Sequence, residues 1–397
     1  VASKRWHITA LLIVISAYGA LGIDLYLPAL PALGRAFNAS AGDVQWTLVV
    51  FYLGFAASQP IYGPLADRYG RKAPLYVGLA LFAVSNAGAA LAPSLDFLIV
   101  TRFFQALGAC AGTVIARAIV RDLFQGKEAA QAYSLLMTAF MVVPMLAPIA
   151  GSFILVFFDW RVMFWTLSAF SLVAAVVTIF LLPETLPVSA RSTTPASRIL
   201  HEYASILKDR RFLGYAVSAG FTSGTLFSYI AGAPHVIIDV FGISPTMFSV
   251  IFAINAFGIM SMTFAFSRAS RRYSVAKVLH YSYVLHAAAG FAFFLAGLSG
   301  YLPAILATLF LVIASYGSVT PGNVALAMEG QGHRAGMASA LFGTMQFVFA
   351  SAITSVLGLF TGPSAIPLAA TIAASGVLGL LANRFIAEPL HKAAARS

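Results

Sequence analysis

The sequence predicts an all-α membrane protein of twelve transmembrane helices, built as two six-helix halves around a central cavity. Three observations carry that prediction. Hydrophobic residues make up 60% of the 397 and charged residues only 9%, where a soluble protein carries about 25% charged. The apolar residues gather into twelve runs of spanning length, roughly 20 residues apiece. The longest polar segment, residues 184–211, separates six runs from six. It divides the chain into an N-terminal half at 1–183, a cytoplasmic linker, and a C-terminal half at 212–397.

The first half holds runs at 6–29, 44–66, 73–92, 95–120, 130–157 and 162–183. Each is bounded by charge, by Pro and Gly, or by a short polar turn. They are too long, and too rich in Ala, Leu and Gly, for the strands of a barrel. In the linker, "SARSTTPAS" has a flexible composition, whereas "SRILHEYASILKDRR" alternates as an amphipathic helix suited to the membrane surface. The second half follows with runs at 212–238, 246–267, 275–297, 301–328, 335–360 and 364–386.

A net charge of +11 raises the question of nucleic acid, and its distribution answers it. With the N-terminus in the cytoplasm and the sides alternating, 20 of the 24 Lys and Arg fall in cytoplasmic segments, from Lys4 and Arg5 to Lys392 and Arg396. Only Arg35 and Arg161 fall outside, and Arg102 and Arg117 lie within the fourth run. This is the positive-inside pattern of a multi-pass membrane protein, with both termini cytoplasmic. The basicity orients the chain, and no nucleic-acid partner is expected.

Other classes fall away. No GxxxxGK[ST] run is present for ATP, and no HExxH for zinc, so neither an ATP-driven pump nor a metalloenzyme is expected. His235 and Asp239, four apart, offer only two ligands, too few for a metal site. The single Cys110 rules out an internal disulfide and reads as packing. The first run is too long for a secretory signal, and it lacks a cleavage pattern. No enzyme activity and no cofactor are expected.

The most specific string is "GPLADRYGRK", residues 63–72, after the second run. Gly63 permits close approach of a neighbouring helix. Asp67 can pair with Arg68, Arg71 or a helix N-terminus, and Gly70 permits a tight turn. Arg71 and Lys72 anchor the loop. In the fifth run, Pro144, Pro148 and Gly151 recur at i, i+4 and i+7 and share one face. Each proline removes a backbone hydrogen bond, and the glycine lets another helix seat beside them. The eighth run ends on "SRASRRYSVAK", which keeps the basic charges of the 63–72 string but lacks its aspartate, so an asymmetric gate is expected.

These strings resemble the major facilitator superfamily. Gly63, Asp67, Arg68, Gly70, Arg71 and Lys72 match its loop 2–3 signature. Arg102, Gln105 and Gly108 in "LIVTRFFQALGA" are similar to its R-x-x-Q-G-x-G pattern, with Ala106 in place of one glycine. "VPMLAPIAGS" resembles the drug-antiporter motif GxxxGPxxGG through Pro148 and Gly151, with Val143, Ala147 and Ser152 in place of its other glycines. "DLYLPALPAL", "ARAIVRD", "PETLP" and "GFTSGTLFSYIAGAP" are similar to the bicyclomycin- and chloramphenicol-resistance exporters.

Among thirteen carboxylates, only Asp24 lies well inside a run. An aspartate there costs about 3 kcal/mol, which marks it as functional. It lies roughly 27 Å along the first helix, in the outer half. The fourth run travels the other way, which brings Arg102 to a similar depth, roughly 9 Å below the outer surface. An Asp24–Arg102 pair fits without strain. Arg102 stays charged while Asp24 can bind and release a proton, the minimum for a proton–substrate antiporter with protons as the coupling ion. A structural ion pair, or an Arg102 that snorkels to the surface, is the plainer alternative.

The resemblance implies that Arg117, Arg121 and Asp122 join Asp67 in a cytoplasmic gate. It also implies a cavity lined by helices 1, 4, 7 and 10. There the sequence offers Tyr26, Phe221, Phe227, Tyr229, Tyr316 and Asn323, joined by Met137 and Met141 on the fifth helix and Asn255 on the eighth. Aromatic and Met surfaces with few polar groups suit small amphipathic molecules. Bicyclomycin, chloramphenicol-type compounds and sulfonamides are the substrates implied, carried by a monomer among membrane lipids. A facilitator or proton symporter for a nutrient is the alternative, and it would need a more polar, stereospecific cavity. A non-transport membrane protein would have no use for the gate and antiporter motifs.

Overall fold

The computed structural model describes residues 2–360 and 362–389, with the side chains of residues 2–5 and His333 left aside. Lys392 and Arg396, and the side chains of Lys4 and Arg5, therefore lie outside the described residues. No strand occurs among those described. Eleven helices are long and apolar enough to cross a membrane. In the first half these are α1 (Trp6–Phe37), α2 (Ala41–Tyr69), α3 (Lys72–Ala90), α4 (Leu95–Leu123), α5 (Gly126–Phe157) and α6 (Arg161–Leu181).

A twelfth helix, α7 (Arg210–Pro234), has the length to span but is diluted by Gly, Ser and Thr. It is buried along almost its whole length, so protein takes the place of lipid around it. The remaining spans are α8 (Pro245–Ala269), α9 (Val275–Ser299), α10 (Leu302–Met328), α11 (Ala335–Gly358) and α12 (Ile366–Ala387). The protein is a twelve-helix, multi-pass membrane protein.

The chain forms two compact units, Val1–Ala39 with Val50–Ile199, and Ser40–Val49 with Leu200–Ser397. In the first unit α3 packs on α4 and α6, and α1 packs on α4 and α5. Small residues let backbones meet: a Cβ at Gly108 of α4 would stand 2.5 Å from Phe82 N and 2.7 Å from Gly78 O of α3. Ser168 and Ser171 of α6 then donate to Ala83 O and Leu79 O of α3 at 2.8 and 2.9 Å. In the second unit α7 lies against α10, α11 and α12, and α9 against α10 and α12.

Two elements depart from the sequence reading. The first apolar run was expected to end at 29, but helical structure continues to Phe37. Pro28 has no N–H to return to Asp24 O, and Pro31 none for Leu27 O, so the α-helix lapses after Asp24. The chain crosses Leu25 and Tyr26, makes a 3₁₀ turn at Leu27–Ala29, and resumes at Leu30–Phe37. The linker is also more ordered than its composition suggests. Residues Val188–Ala190 form a 3₁₀ turn, and Ser192 N donates to Asp67 O at 2.8 Å. Beyond it, the amphipathic stretch is a helix over Ala196–Lys208 whose Tyr203 and Ile206 are buried.

Candidate functional site

Asp24 ends the second helical segment of α1, and its side chain is buried at 3% exposure. Its Oδ1 has no hydrogen-bond partner among the described residues. A buried carboxylate oxygen without a donor is costly in a membrane interior. Tyr52 of α2 lies within electrostatic range of Asp24, Tyr26 and Arg102 together, so these four side chains share one neighbourhood.

Arg102 is fully buried, but it turns elsewhere than the expected ion pair. Its Nη1 donates to Gly22 O at 2.8 Å and to Gln105 Oε1 one turn along α4. The guanidinium lies over the rings of Tyr26 and Phe51, 4.2 and 4.4 Å from their centroids. Cation–π contact and two oxygen acceptors hold the charge without a carboxylate. The chain of amides continues, since Gln105 Nε2 donates to Asn86 Oδ1 at 2.7 Å. The two helices do reach one depth, as the arithmetic required, but among the described contacts no ion pair joins Asp24 to Arg102.

α5 meets this neighbourhood through its proline–glycine face. Pro148 and Gly151 are buried and Pro144 is half-buried, within an unbroken helix. The α1 backbone at Leu25 runs so close to Gly151 that a Cβ there would stand 1.9 Å from Leu25 O. The motif glycine thus seats the break in α1 that immediately follows Asp24.

A second cluster forms where α2 meets α3. Arg71, 2% exposed, donates from Nη1 to Asp67 Oδ1 at 2.6 Å and from Nε to Asp122 Oδ2 at 2.8 Å. Thr185 Oγ1 also donates to Asp122 Oδ2 at 3.0 Å. Burial works against the Arg71 charge, but the bonds to Asp122 and Asp67 outweigh it, and its pKa rises above the ordinary arginine value. Gly70 has φ +90°, the left-handed region open to glycine.

Glu184 caps the head of α3: its Oε1 accepts from Arg71 N at 2.9 Å and its Oε2 from Lys72 N at 3.2 Å. Partial burial raises the Glu184 pKa, but the backbone N–H groups of Arg71, Leu186, Lys72 and Thr185 prevail and lower it. Of the partners open to Asp67, Arg71 takes it, and the expected close approach at Gly63 is corrected. Arg68 is exposed and turns over the Tyr69 ring, and among the described contacts Arg117 and Arg121 make no ion pair with Asp67 or Asp122. Gly63 meets no close neighbour: a Cβ there would find no atom within 4 Å among the described residues.

The family model of the Major Facilitator Superfamily matches residues 11–355. The chain belongs to that superfamily. It is 35% identical over 388 residues to the uncharacterized MFS-type transporter YdgK of Bacillus subtilis (strain 168), covering 96% of this chain and 95% of that one. It is 27% identical over 375 residues to a bicyclomycin resistance protein homolog of Haemophilus influenzae (strain Rd), covering 94% of each. Its fold is similar to the crystal structure of a D-xylose–proton symporter, with a TM-score of 0.75 at 15% identity over 97% of this chain and 98% of that one. This facilitator is a transporter of small molecules and not an enzyme.

Within the facilitator's first unit, Tyr26 is 1% exposed beneath Arg102, and Met137 and Met141 are exposed on α5. In the second unit, Phe221 and Phe227 pack against Phe349 and Phe347 of α11. Tyr229 accepts from Asn255 Nδ2 at 2.9 Å and stacks on Phe252. Asn323 is bonded to Tyr283 at 2.9 Å, and Tyr316 is buried. The polar atoms expected to meet substrate are here joined in helix-to-helix bonds.

Sequence reasoning passed over Glu184, Asn86 and His286. His286 is fully buried, with Nδ1 2.8 Å from Ser315 Oγ and Nε2 3.2 Å from Thr225 Oγ1. Ser315 spends its own proton on Val312 O, so Nδ1 carries the hydrogen and Nε2 accepts from Thr225. His235 and Asp239 bond to each other at 3.0 Å, and no group of three potential metal ligands occurs among the described residues.

Proposed function

We propose that the protein is a proton-coupled exporter of small amphipathic drugs, with Asp24 as the proton-binding group. One observation carries this reading: a buried carboxylate, Oδ1 without a donor, beside an arginine that holds its charge on other acceptors. Such a carboxylate can take a proton without breaking any bond of that oxygen. Loss of its proton leaves a negative charge facing a guanidinium that can swing to meet it.

The proton gradient then drives alternating access. Asp24 takes a proton while open to the outside, and Arg102 keeps to Gly22 and Gln105. When the cavity opens inward, Asp24 releases the proton and its charge is left to Arg102, and drug loads for the return. Protons are the only coupling ion in this scheme, and no cofactor takes part. The protein acts as a monomer in the bacterial inner membrane, both termini in the cytoplasm. Bicyclomycin, chloramphenicol-type compounds and sulfonamides are the candidate substrates. Kinship with a bicyclomycin resistance homolog supports that class.

The test is Asp24→Asn in proteoliposomes with an imposed pH gradient. Gradient-driven chloramphenicol or bicyclomycin uptake should vanish while the protein stays folded and still binds drug. Undiminished proton-coupled uptake would refute the assignment.

A further inference from the structure

Where Arg102 points is decided two amides away. Asn86 on α3 is fully buried, and its Nδ2 donates to Phe82 O at 2.7 Å. That bond leaves Asn86 Oδ1 facing α4, where it accepts from Gln105 Nε2 at 2.7 Å. A carboxamide carries its donor and acceptor on opposite arms. With its amide nitrogen committed to Asn86, Gln105 offers Oε1 to Arg102, and Nη1 takes it. Polarity therefore runs one way, from Arg102 through Gln105 and Asn86 to Phe82 O. Were the Gln105 amide to flip, it would set N–H groups against a guanidinium that has only donors.

We propose that Asn86 is a positioning residue for proton coupling: by fixing the Gln105 amide, it holds the Arg102 guanidinium away from Asp24. The inference rests on Asp24 being the proton site. Without Asn86, Gln105 turns freely, and of the two acceptors of Arg102 Nη1 only Gly22 O stays fixed. The carboxylate of Asp24, two residues from Gly22, then offers a stronger charge-assisted bond. A guanidinium on Asp24 favours the carboxylate and makes proton uptake harder.

Of the charged and titratable groups about Asp24, Tyr52 from α2 interacts with it directly, and Tyr52 also interacts with Arg102 from α4 and with Tyr26 from the same helix as Asp24. α5 brings the backbone at Gly151, α3 brings Asn86, and α6 brings the Phe164 ring. Arg161 at the head of α6 is engaged by Asp159 and Ala92 O. Asn86 thus acts on the proton site only through Gln105 and Arg102.

The experiment uses the full-length protein in lipid nanodiscs and needs no drug. The protonated-carboxyl stretch of Asp24 is the infrared band that disappears in Asp24→Asn, and it is titrated against pH. Asn86→Leu, with Asn86→Ala as the second variant, should move that titration to lower pH by about 1 pH unit. Gln105→Glu keeps an acceptor on Arg102 and adds a negative charge, so it should move the titration to higher pH. A residue that merely packs would not move the two in opposite directions. A titration left in place by a folded Asn86 variant overturns the inference. If neither Asn86 variant folds, an unmoved Gln105→Glu does so. If Asp24→Asn loses no titrating band, the proton-site reading itself fails, a separate and recognisable outcome.

Discussion

The carbonyl oxygen of Leu25 lies 1.9 Å from the point a Cβ on Gly151 would occupy. The glycine of the α5 motif and the backbone next to Asp24 are therefore in direct contact, with the buried Pro148 three residues before it on the same helix.

Gly151→Ala should be damaging, because backbone must move to admit the methyl group. A loss of about 3 kcal/mol is expected, seen as a lower thermal unfolding midpoint in detergent, together with lost transport. Gly63→Ala is the control, since its Cβ meets open space, and it should leave the midpoint unchanged.

Gly70→Ala faces two obstacles: a φ of +90°, and a Cβ only 2.6 Å from Glu184 Oε2. The conformation alone costs about 1–2 kcal/mol. Displacing Glu184 uncaps α3, so hydrogen exchange at the Arg71 and Lys72 amides should quicken by about tenfold or more.

The Glu184 clasp should be pH-dependent in one direction. Its pKa is depressed below the ordinary value of 4.5, so it stabilises the junction fully above that pH. Stability is lost as pH falls below 4.5 through the depressed folded value. Amide exchange at Lys72, corrected for its intrinsic pH dependence, should lose protection in that window, and Glu184→Gln should abolish the transition.

Arg71 carries two carboxylates, so Arg71→Ala should cost about 3 kcal/mol, less whatever the half-exposed Asp67 recovers from water. Arg71→Lys should restore only part, because an ammonium cannot reproduce the fork that spans Asp67 and Asp122. A double-mutant cycle with Asp122→Asn should give a coupling above about 1 kcal/mol. An additive pair would show that the Arg71–Asp122 contact contributes nothing.

Much of this was legible in the sequence, for identifiable reasons. Spans are a matter of apolar length, and length survives folding. The Asp67–Arg71 pair is spaced i, i+4 across the tight turn at Gly70, and Gln105 lies three residues from Arg102 on one helix, so both are local. Glu184 reaches Arg71 across 113 residues, and Asn86 reaches Gln105 from another helix. Periodicity carries no record of such meetings. The end of α1 was misread because Pro28 and Pro31 look like a stop, whereas they only convert one turn to 3₁₀. Arg102 was assigned to Asp24 by depth and charge, when backbone carbonyl, amide and aromatic faces satisfy it instead.

The polar character of α7 bears on how the protein is made. A helix carrying Ser218, Thr222, Ser223, Thr225 and Ser228 gains little from entering lipid alone. Thr225 finds its partner on α9, and the helix packs against α10, α11 and α12, all of which emerge later from the ribosome. The newborn α7 is therefore expected to enter the bilayer stably only once its companions have emerged. Truncating the chain before α10 should leave it exposed to the quality-control proteases of the membrane.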